Sequence, residues 1–217
     1  GQEFIAQYLR PSAVEVGGKD VLDISGGNGH FIRQLEPLGA RITLTEINRR
    51  TIEYARATHG FQVFEYNLNE HYLPSVTRQR YDIVFARACI MFARDLNKFV
   101  ADMKAVLRPG GQVFINHSVV PTLGVLLRTQ LDDFSYLVLR QPEAIIAAFT
   151  ASGFSLQHRA DETDPGLYIY DHDLLRHWRW VYRFYEWRAI RQMAGDRRYV
   201  WPARDRRRST LVFHLDT

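Results

Sequence analysis

Apolar residues recur along this chain in two alternating rhythms. Val21-Leu22-Asp23-Ile24, Ile42-Thr43-Leu44-Thr45, Phe61-Gln62-Val63-Phe64, Tyr81-Asp82-Ile83-Val84-Phe85-Ala86 and Val113-Phe114-Ile115 are short runs rich in β-branched and aromatic side chains. Between them apolar positions stand three and four apart, as in Leu96-x-x-Phe99-Val100-x-x-Met103-x-x-Val106-Leu107. The first rhythm is that of buried strands and the second that of amphipathic helices. Strands are expected near 20–25, 41–45, 61–66, 81–86 and 111–117, with helices between them, the clearest at 51–58 and 96–107. Arg108-Pro109-Gly110-Gly111 stops the second helix, since proline cannot continue it and glycine suits its C-cap. A further helix is expected over 141–151, opened by Pro142 and closed by Ser152-Gly153, then strands over 154–158 and 209–215. Alternating strand and helix predicts a parallel sheet covered on both faces.

The turn after the first strand carries the most chemistry. Val21-Leu22-Asp23-Ile24-Ser25-Gly26-Gly27-Asn28-Gly29 leads into Phe31-Ile32-x-x-Leu35-x-x-Leu38, read as strand, tight turn and helix. Glycine lets backbone turn sharply and lets a ligand approach within contact distance. A helix N-terminus offers unpaired N–H groups to a polar ligand. His30, Phe31 and Ile32 follow Gly29, so the third glycine of a dinucleotide fingerprint is missing, and no lysine stands where a P-loop needs one. Glu46 closes the second strand about twenty residues later, the interval expected of a ribose-binding acid. Its charge repels a 2′-phosphate.

These residues resemble the first motif of class I S-adenosylmethionine (SAM) methyltransferases, with Ser25 standing where a glycine is usual. The stretch from Tyr81-Asp82-Ile83-Val84-Phe85-Ala86 to Val106-Leu107-Arg108-Pro109-Gly110-Gly111-Gln112-Val113-Phe114-Ile115 resembles the later part of the same domain. The resemblance spans residues 20–117. It implies a Rossmann-like α/β fold: a seven-stranded, mostly parallel sheet with helices on both faces and the last strand inserted antiparallel beside the sixth. It implies SAM as cofactor, cradled by Asp23, Ser25, Gly26, Gly27 and Gly29, with the ribose on Glu46 beside Ile47. It places the adenine amino group at Asn67, with Leu68 supplying a backbone N–H, and it puts Arg87 at the same cleft. All of these fall at carboxyl ends of strands, where ligands bind in such sheets.

At 217 residues the chain can bury one substantial core, so a single domain is expected over 1–217. No apolar run is long enough to span a membrane and no signal peptide is visible. The only cysteine, Cys89, lies among Ile90, Met91 and Phe92 and reads as core. With no disulfide to form, a cytoplasmic setting is expected. The chain begins at Gly1, consistent with a part of a larger chain. Lysine occurs only at 19, 98 and 104, so arginine carries nearly all the positive charge.

The connection 159–208 is far longer than a hairpin needs. Leu174, Trp178, Val181, Tyr182, Tyr185 and Trp187 interleave with Arg176, Arg179, Arg183 and Arg188, the pattern of an aromatic, basic helix. Two readings stay open: a helix packed on the sheet with a solvated arginine face, or a lid over an acceptor pocket. Aromatics beside arginines also suit nucleic acid or a charged glycan.

No Cys/His set has zinc spacing, and Asp171-His172-Asp173 reads as a helix cap, so no metal is expected. The resemblance implies in-line methyl transfer from the SAM sulfonium to an O, N or C nucleophile. His117, closing the fifth strand with an ordinary pKa near neutrality, is the candidate general base. The Asn/Asp-Pro-Pro-Tyr signature of amino-group methylation is absent, which lowers the standing of DNA or glutamine as acceptor. A small-molecule or sugar-like acceptor is favoured. RNA or a polysaccharide end, and a non-catalytic binding domain of a larger protein, are the alternatives.

Overall fold

The computed structural model describes residues 9, 14–118, 138, 140–163 and 207–217. In chain order the elements are β1 (Asp20–Ile24), a 3₁₀ segment (Ile32–Leu38), β2 (Arg41–Glu46), α1 (Arg49–His59), β3 (Gln62–Glu65), α2 (Leu73–Val76), β4 (Tyr81–Arg87), a 3₁₀ turn (Ile90–Phe92), α3 (Leu96–Val106), β5 (Leu107–Ser118), α4 (Pro142–Ala151), β6 (Phe154–Thr163) and β7 (Arg207–Leu215). The seven strands form one sheet in the order β3-β2-β1-β4-β5-β7-β6. Pairing is parallel from β3 through β5, and β7 runs antiparallel to both of its neighbours.

Period-two alternation divides the strand side chains between two cores. Val21, Leu44, Val63, Ile83, Phe85, Phe114 and Val212 pack with Ile32 and Leu35 of the 3₁₀ segment and with Ile52 and Ala55 of α1. Leu22, Ile24, Val84, Ala86, Val113, Ile115, Leu211 and Phe213 face the other way, onto Phe99, Val100 and Met103 of α3 and Ile145 and Phe149 of α4. The order reverses between β1 and β4, because β2 lies on one side of β1 and β4 on the other. That reversal opens a crevice above the carboxyl ends of these strands.

Three elements depart from the sequence pattern. The amphipathic stretch after the glycine turn winds as a 3₁₀ segment rather than an α-helix, with Pro37 inside it and Gly39 closing it at φ 88°. A proline there removes a hydrogen-bond donor and crowds the preceding turn. β5 begins at Leu107, where Tyr81 pairs Leu107 and Ile83 already pairs Gln112, so Arg108–Gly111 bulges out of the ladder. β6 and β7 pair as far as Thr163 and Arg207, which narrows the unaccounted connection to residues between 163 and 207. The aromatic stretch from Leu174 to Trp187 lies outside the described residues.

Candidate active site

The glycine turn sits over the end of β1. Gly26 N–H donates to the Thr45 carbonyl at 3.0 Å and Ser25 N–H to Thr45 Oγ1 at 3.2 Å, which stitches the turn to β2. Asp23 lies beneath it, only 2% exposed, and a Cβ on Gly26 would stand 2.8 Å from Asp23 Oδ2. A Cβ on Gly29 would stand 2.8 Å from the Phe61 ring. Gly27 differs: its φ is 59° and a Cβ there would meet no protein atom within 4 Å, leaving open space of the kind a ligand fills.

Glu46 closes β2 and turns its carboxylate back across this loop. Oε2 accepts from Gly27 N–H at 3.0 Å, while Oε1 accepts from Ile47 N–H at 2.7 Å and Asn48 N–H at 3.0 Å. A carboxylate offers about four acceptor positions. Three are engaged here, and the spare one is on Oε2, beside Gly27.

The end of β3 supplies the opposite wall. Asn67 Oδ1 accepts from Asn69 N–H at 3.0 Å, and Asn69 in turn donates from Nδ2 to the Phe92 carbonyl at 2.9 Å and accepts the Arg94 N–H at 2.8 Å. The third wall follows β4, where Ala88 N–H donates to the Asn116 carbonyl at 2.8 Å. Arg87 places its guanidinium 3.0 Å from the centroid of Phe31.

These walls enclose a cavity of about 360 Å³. Of the residues named from sequence, Ser25, Glu46, Ile47, Asn67, Leu68 and Arg87 line it. Asp23 lies beneath the turn, against Gly26, and Gly27 reaches the site through its N–H to Glu46. Tyr66, Asn69, Ala88, Cys89 and Phe92 also line the cavity and were not singled out for it. One signal was available: a strand-end marker at Asn67 implies that the residues immediately flanking it share its wall. Ala88 carried no sequence signal, whereas Ser25 stood where a glycine is usual; they are the two non-glycine residues with positive φ among those described, at 49° and 54°.

Buried charge tunes the floor. Desolvation lifts the Asp23 carboxyl to about 7, helped by the negative charge of Glu46 and opposed by the guanidinium of Arg87. Burial pushes the Cys89 thiol up as well, so this cavity-lining cysteine is held as the inert thiol.

His117 is not where the sequence placed it. It was expected to face the site mouth as a general base. It is fully buried, its Nε2 lies 2.9 Å from the Arg140 carbonyl, and its Nδ1 has no partner among the described residues. The reason is register: it shares the parity of Val113 and Ile115 on β5, whose side chains face α3 and α4. Asn116, of the opposite parity, is the residue paired with Arg87. Burial holds the imidazole below its usual pKa, so it stays neutral.

Among the described residues no group of three or more His, Cys, Asp and Glu could hold a metal, and no helix is long and apolar enough to cross a membrane.

The family model of the methyltransferase domain matches residues 22–115. Among curated proteins the chain is 27% identical over 134 residues to the demethylmenaquinone methyltransferase of Tropheryma whipplei, covering 58% of this chain and 56% of that protein. It is 25% identical over 116 residues to the ubiquinone biosynthesis O-methyltransferase of Proteus mirabilis, covering 50% of this chain and 46% of that protein. The chain thus spans about half the length of these relatives. Among solved structures, an S-adenosylmethionine dependent methyltransferase from Mesorhizobium loti superposes with TM-score 0.64 at 17% identity, over 99% of this chain and 98% of that one. A phosphoethanolamine N-methyltransferase 2 from Haemonchus contortus, solved with S-adenosyl-L-methionine, has TM-score 0.62 at 17% identity, over 99% of this chain and 52% of that one.

Proposed function

We propose that the chain is a class I SAM-dependent methyltransferase that binds SAM in the cavity above β1, β2 and β4 and methylates a nucleophile of a small-molecule acceptor. One observation carries this reading. The glycine turn, the Glu46 carboxylate and the Asn67–Leu68 wall converge on one cavity of about 360 Å³, within the range of small-ligand sites. The donor set fits the cofactor. Glu46 Oε2 keeps an acceptor position for a ribose hydroxyl, Ile47 and Leu68 offer apolar contact to a base, and Asn67 offers an amide to its polar edge. The open space over Gly27 accommodates a ligand where any side chain would intrude. When bound, the cofactor supplies an electrophilic methyl group on a sulfonium. The chain's own part is to hold that group and the acceptor in line, and positioning of this kind is worth about 7–11 kcal/mol of barrier.

The acceptor is read as a small molecule with an oxygen nucleophile, N or C being the alternatives. Two relatives, named a demethylmenaquinone methyltransferase and a ubiquinone biosynthesis O-methyltransferase, support a small quinone-related acceptor, and the second name an oxygen nucleophile. No described residue stands as its base, His117 being buried on the far side of β5. Calorimetric titration with SAM and with S-adenosylhomocysteine tests the cofactor site. Glu46→Ala is expected to weaken binding by roughly 1.5–3 kcal/mol, the worth of a hydrogen bond to a charged group. Unchanged affinity would remove Glu46 from the site. Transfer of labelled methyl from SAM to simple phenols, compared with amines, then tests the acceptor class.

A further inference from the structure

The turn after β3 is held by an ion pair, Lys98–Asp102, whose own side chains do not line the cavity but which bonds to Tyr66 and Leu68, which do. Asp102, on α3, is fully buried. Its Oδ2 accepts from Tyr66 OH at 2.7 Å and from Lys98 Nζ at 2.7 Å, and its Oδ1 accepts from Leu73 N–H at 3.3 Å. Lys98 stands one helical turn earlier and spends its other two donors on the carbonyls of Leu68 at 3.0 Å and His71 at 2.7 Å. An ammonium has three donors, so Lys98 is saturated. The pair therefore grips the end of β3, the middle and end of the turn, and the start of α2 at once.

The turn closes around the same points. The Asn67 carbonyl accepts from Glu70 and His71 N–H groups at 3.1 and 2.9 Å, and Asn67 N–H donates to His71 Nδ1 at 3.1 Å. Fixing the Leu68 carbonyl fixes the peptide that joins Leu68 to Asn69. That peptide's N–H is the one bound to Asn67 Oδ1. One of the two acceptor positions of Asn67 Oδ1 is thus fixed on the Asn69 N–H, an orientation that descends from Lys98 through one peptide plane and leaves the second position for a donor such as an amino group. A buried pair is a costly way to gain stability, since desolvation opposes the attraction. It is an effective way to fix geometry, because the ammonium must meet three acceptors simultaneously.

We propose that the Lys98–Asp102 pair is a positioning device for base recognition, setting the cavity's preference for a 6-amino purine through the orientation of Asn67 and Leu68. This rests on the reading that the cavity takes SAM. Neither residue lines the cavity.

The test compares two ligands by calorimetry: S-adenosylhomocysteine and S-inosylhomocysteine, which carries oxygen in place of the 6-amino group. The wild-type protein is expected to prefer the adenosyl ligand by about tenfold or more, as polar edges discriminate. Lys98→Met with Asp102→Asn removes both charges together, which avoids stranding one in the core. That variant is expected to fold, by circular dichroism, and to lose most of the preference while still binding. Lys98→Arg is the second variant: a planar guanidinium cannot meet two carbonyls and a carboxylate placed around an ammonium, so part of the preference goes with the charge kept. A folded variant of either kind that discriminates as wild type does overturns the proposal, as does a wild type without preference. A wild type that binds neither ligand overturns the SAM reading instead.

Discussion

Strain at single residues marks this cavity. Ser25 and Ala88 hold φ near 54° and 49°, in the left-handed region that costs an L-residue about 1–2 kcal/mol, and both line the cavity. Glycine at position 25 removes that strain and returns some entropy to the unfolded chain, about 0.5–1 kcal/mol. Ser25→Gly is therefore expected to raise stability by up to about 1 kcal/mol in urea unfolding; a loss would mean that the serine hydroxyl matters more than the backbone. Asp23 gives a pH signature. Its folded pKa of about 7 lies above the ordinary carboxylate value, so between about pH 4 and 7 the folded state binds the proton that the unfolded state has released. Its contribution to stability is present at low pH and is lost as pH rises through 7. Asp23→Asn is thus expected to stabilise at pH 8, by at most about 4 kcal/mol, and to change little at pH 4. Equal effects at both values would place the carboxyl among better partners than desolvation implies.

At the scale of elements, rhythm and punctuation made most of the fold legible. The order of β1, β2, β3, β4 and β5 followed from apolar runs, and α3 from its three-and-four spacing, with Asp95 capping it through the Asn97 and Lys98 N–H groups. Less legible was what depends on partners far along the chain. At the bulge over Arg108–Gly111, Arg108 reaches back to Asp20 and Asp82, at 2.7 Å each, a contact no local pattern announces. The cavity-lining glutamate was readable from its interval to the glycines; the pair beneath Asn67 was not, since Lys98 and Asp102 look like an ordinary exposed pair four apart on a helix. The misplacement of His117 was avoidable, because counting by two from Val113 puts it in the core. Its burial has a consequence opposite in sign to that of Asp23. The folded imidazole binds a proton less readily than the unfolded one, so its contribution is present above about pH 6.5 and is lost as pH falls. His117→Gln keeps a donor for the Arg140 carbonyl and cannot titrate. It should flatten the loss of stability between pH 7 and pH 5, and an unaltered slope would assign that loss elsewhere. The α4 face offers a packing test: Phe149 stacks on Phe213 at 4.3 Å between centroids and meets Phe154 edge-on. Phe149→Ala is expected to cost about 3–5 kcal/mol, read from chemical unfolding.

Across the whole molecule, the walls of the cavity come from residues 25 to 92, all within the first half of the chain. If this cavity takes the cofactor, the described residues that hold it all precede β5, and the acceptor would be recognised by later residues. The sequence holds one stretch with the means to do it: Tyr168–Trp187, where aromatic side chains alternate with arginines. A pocket needs apolar walls and few polar groups, and connections set on a rigid sheet are where specificity resides. If this stretch recognises the acceptor, then Trp178→Ala with Tyr182→Ala should lower kcat/KM for the acceptor by about tenfold or more, each aromatic contact being worth about 1 kcal/mol beyond its buried area. Affinity for S-adenosylhomocysteine, if Glu46 and Asn67 hold it as proposed, should stay within about twofold, since sites without shared partners act independently. Loss of cofactor binding in a folded variant would place the stretch over the cofactor instead. Loss of folding would return it to the core. Salt separates the acceptor classes further: a phosphate-rich acceptor held by the arginines would weaken steeply as ionic strength rises, and a neutral small molecule would not.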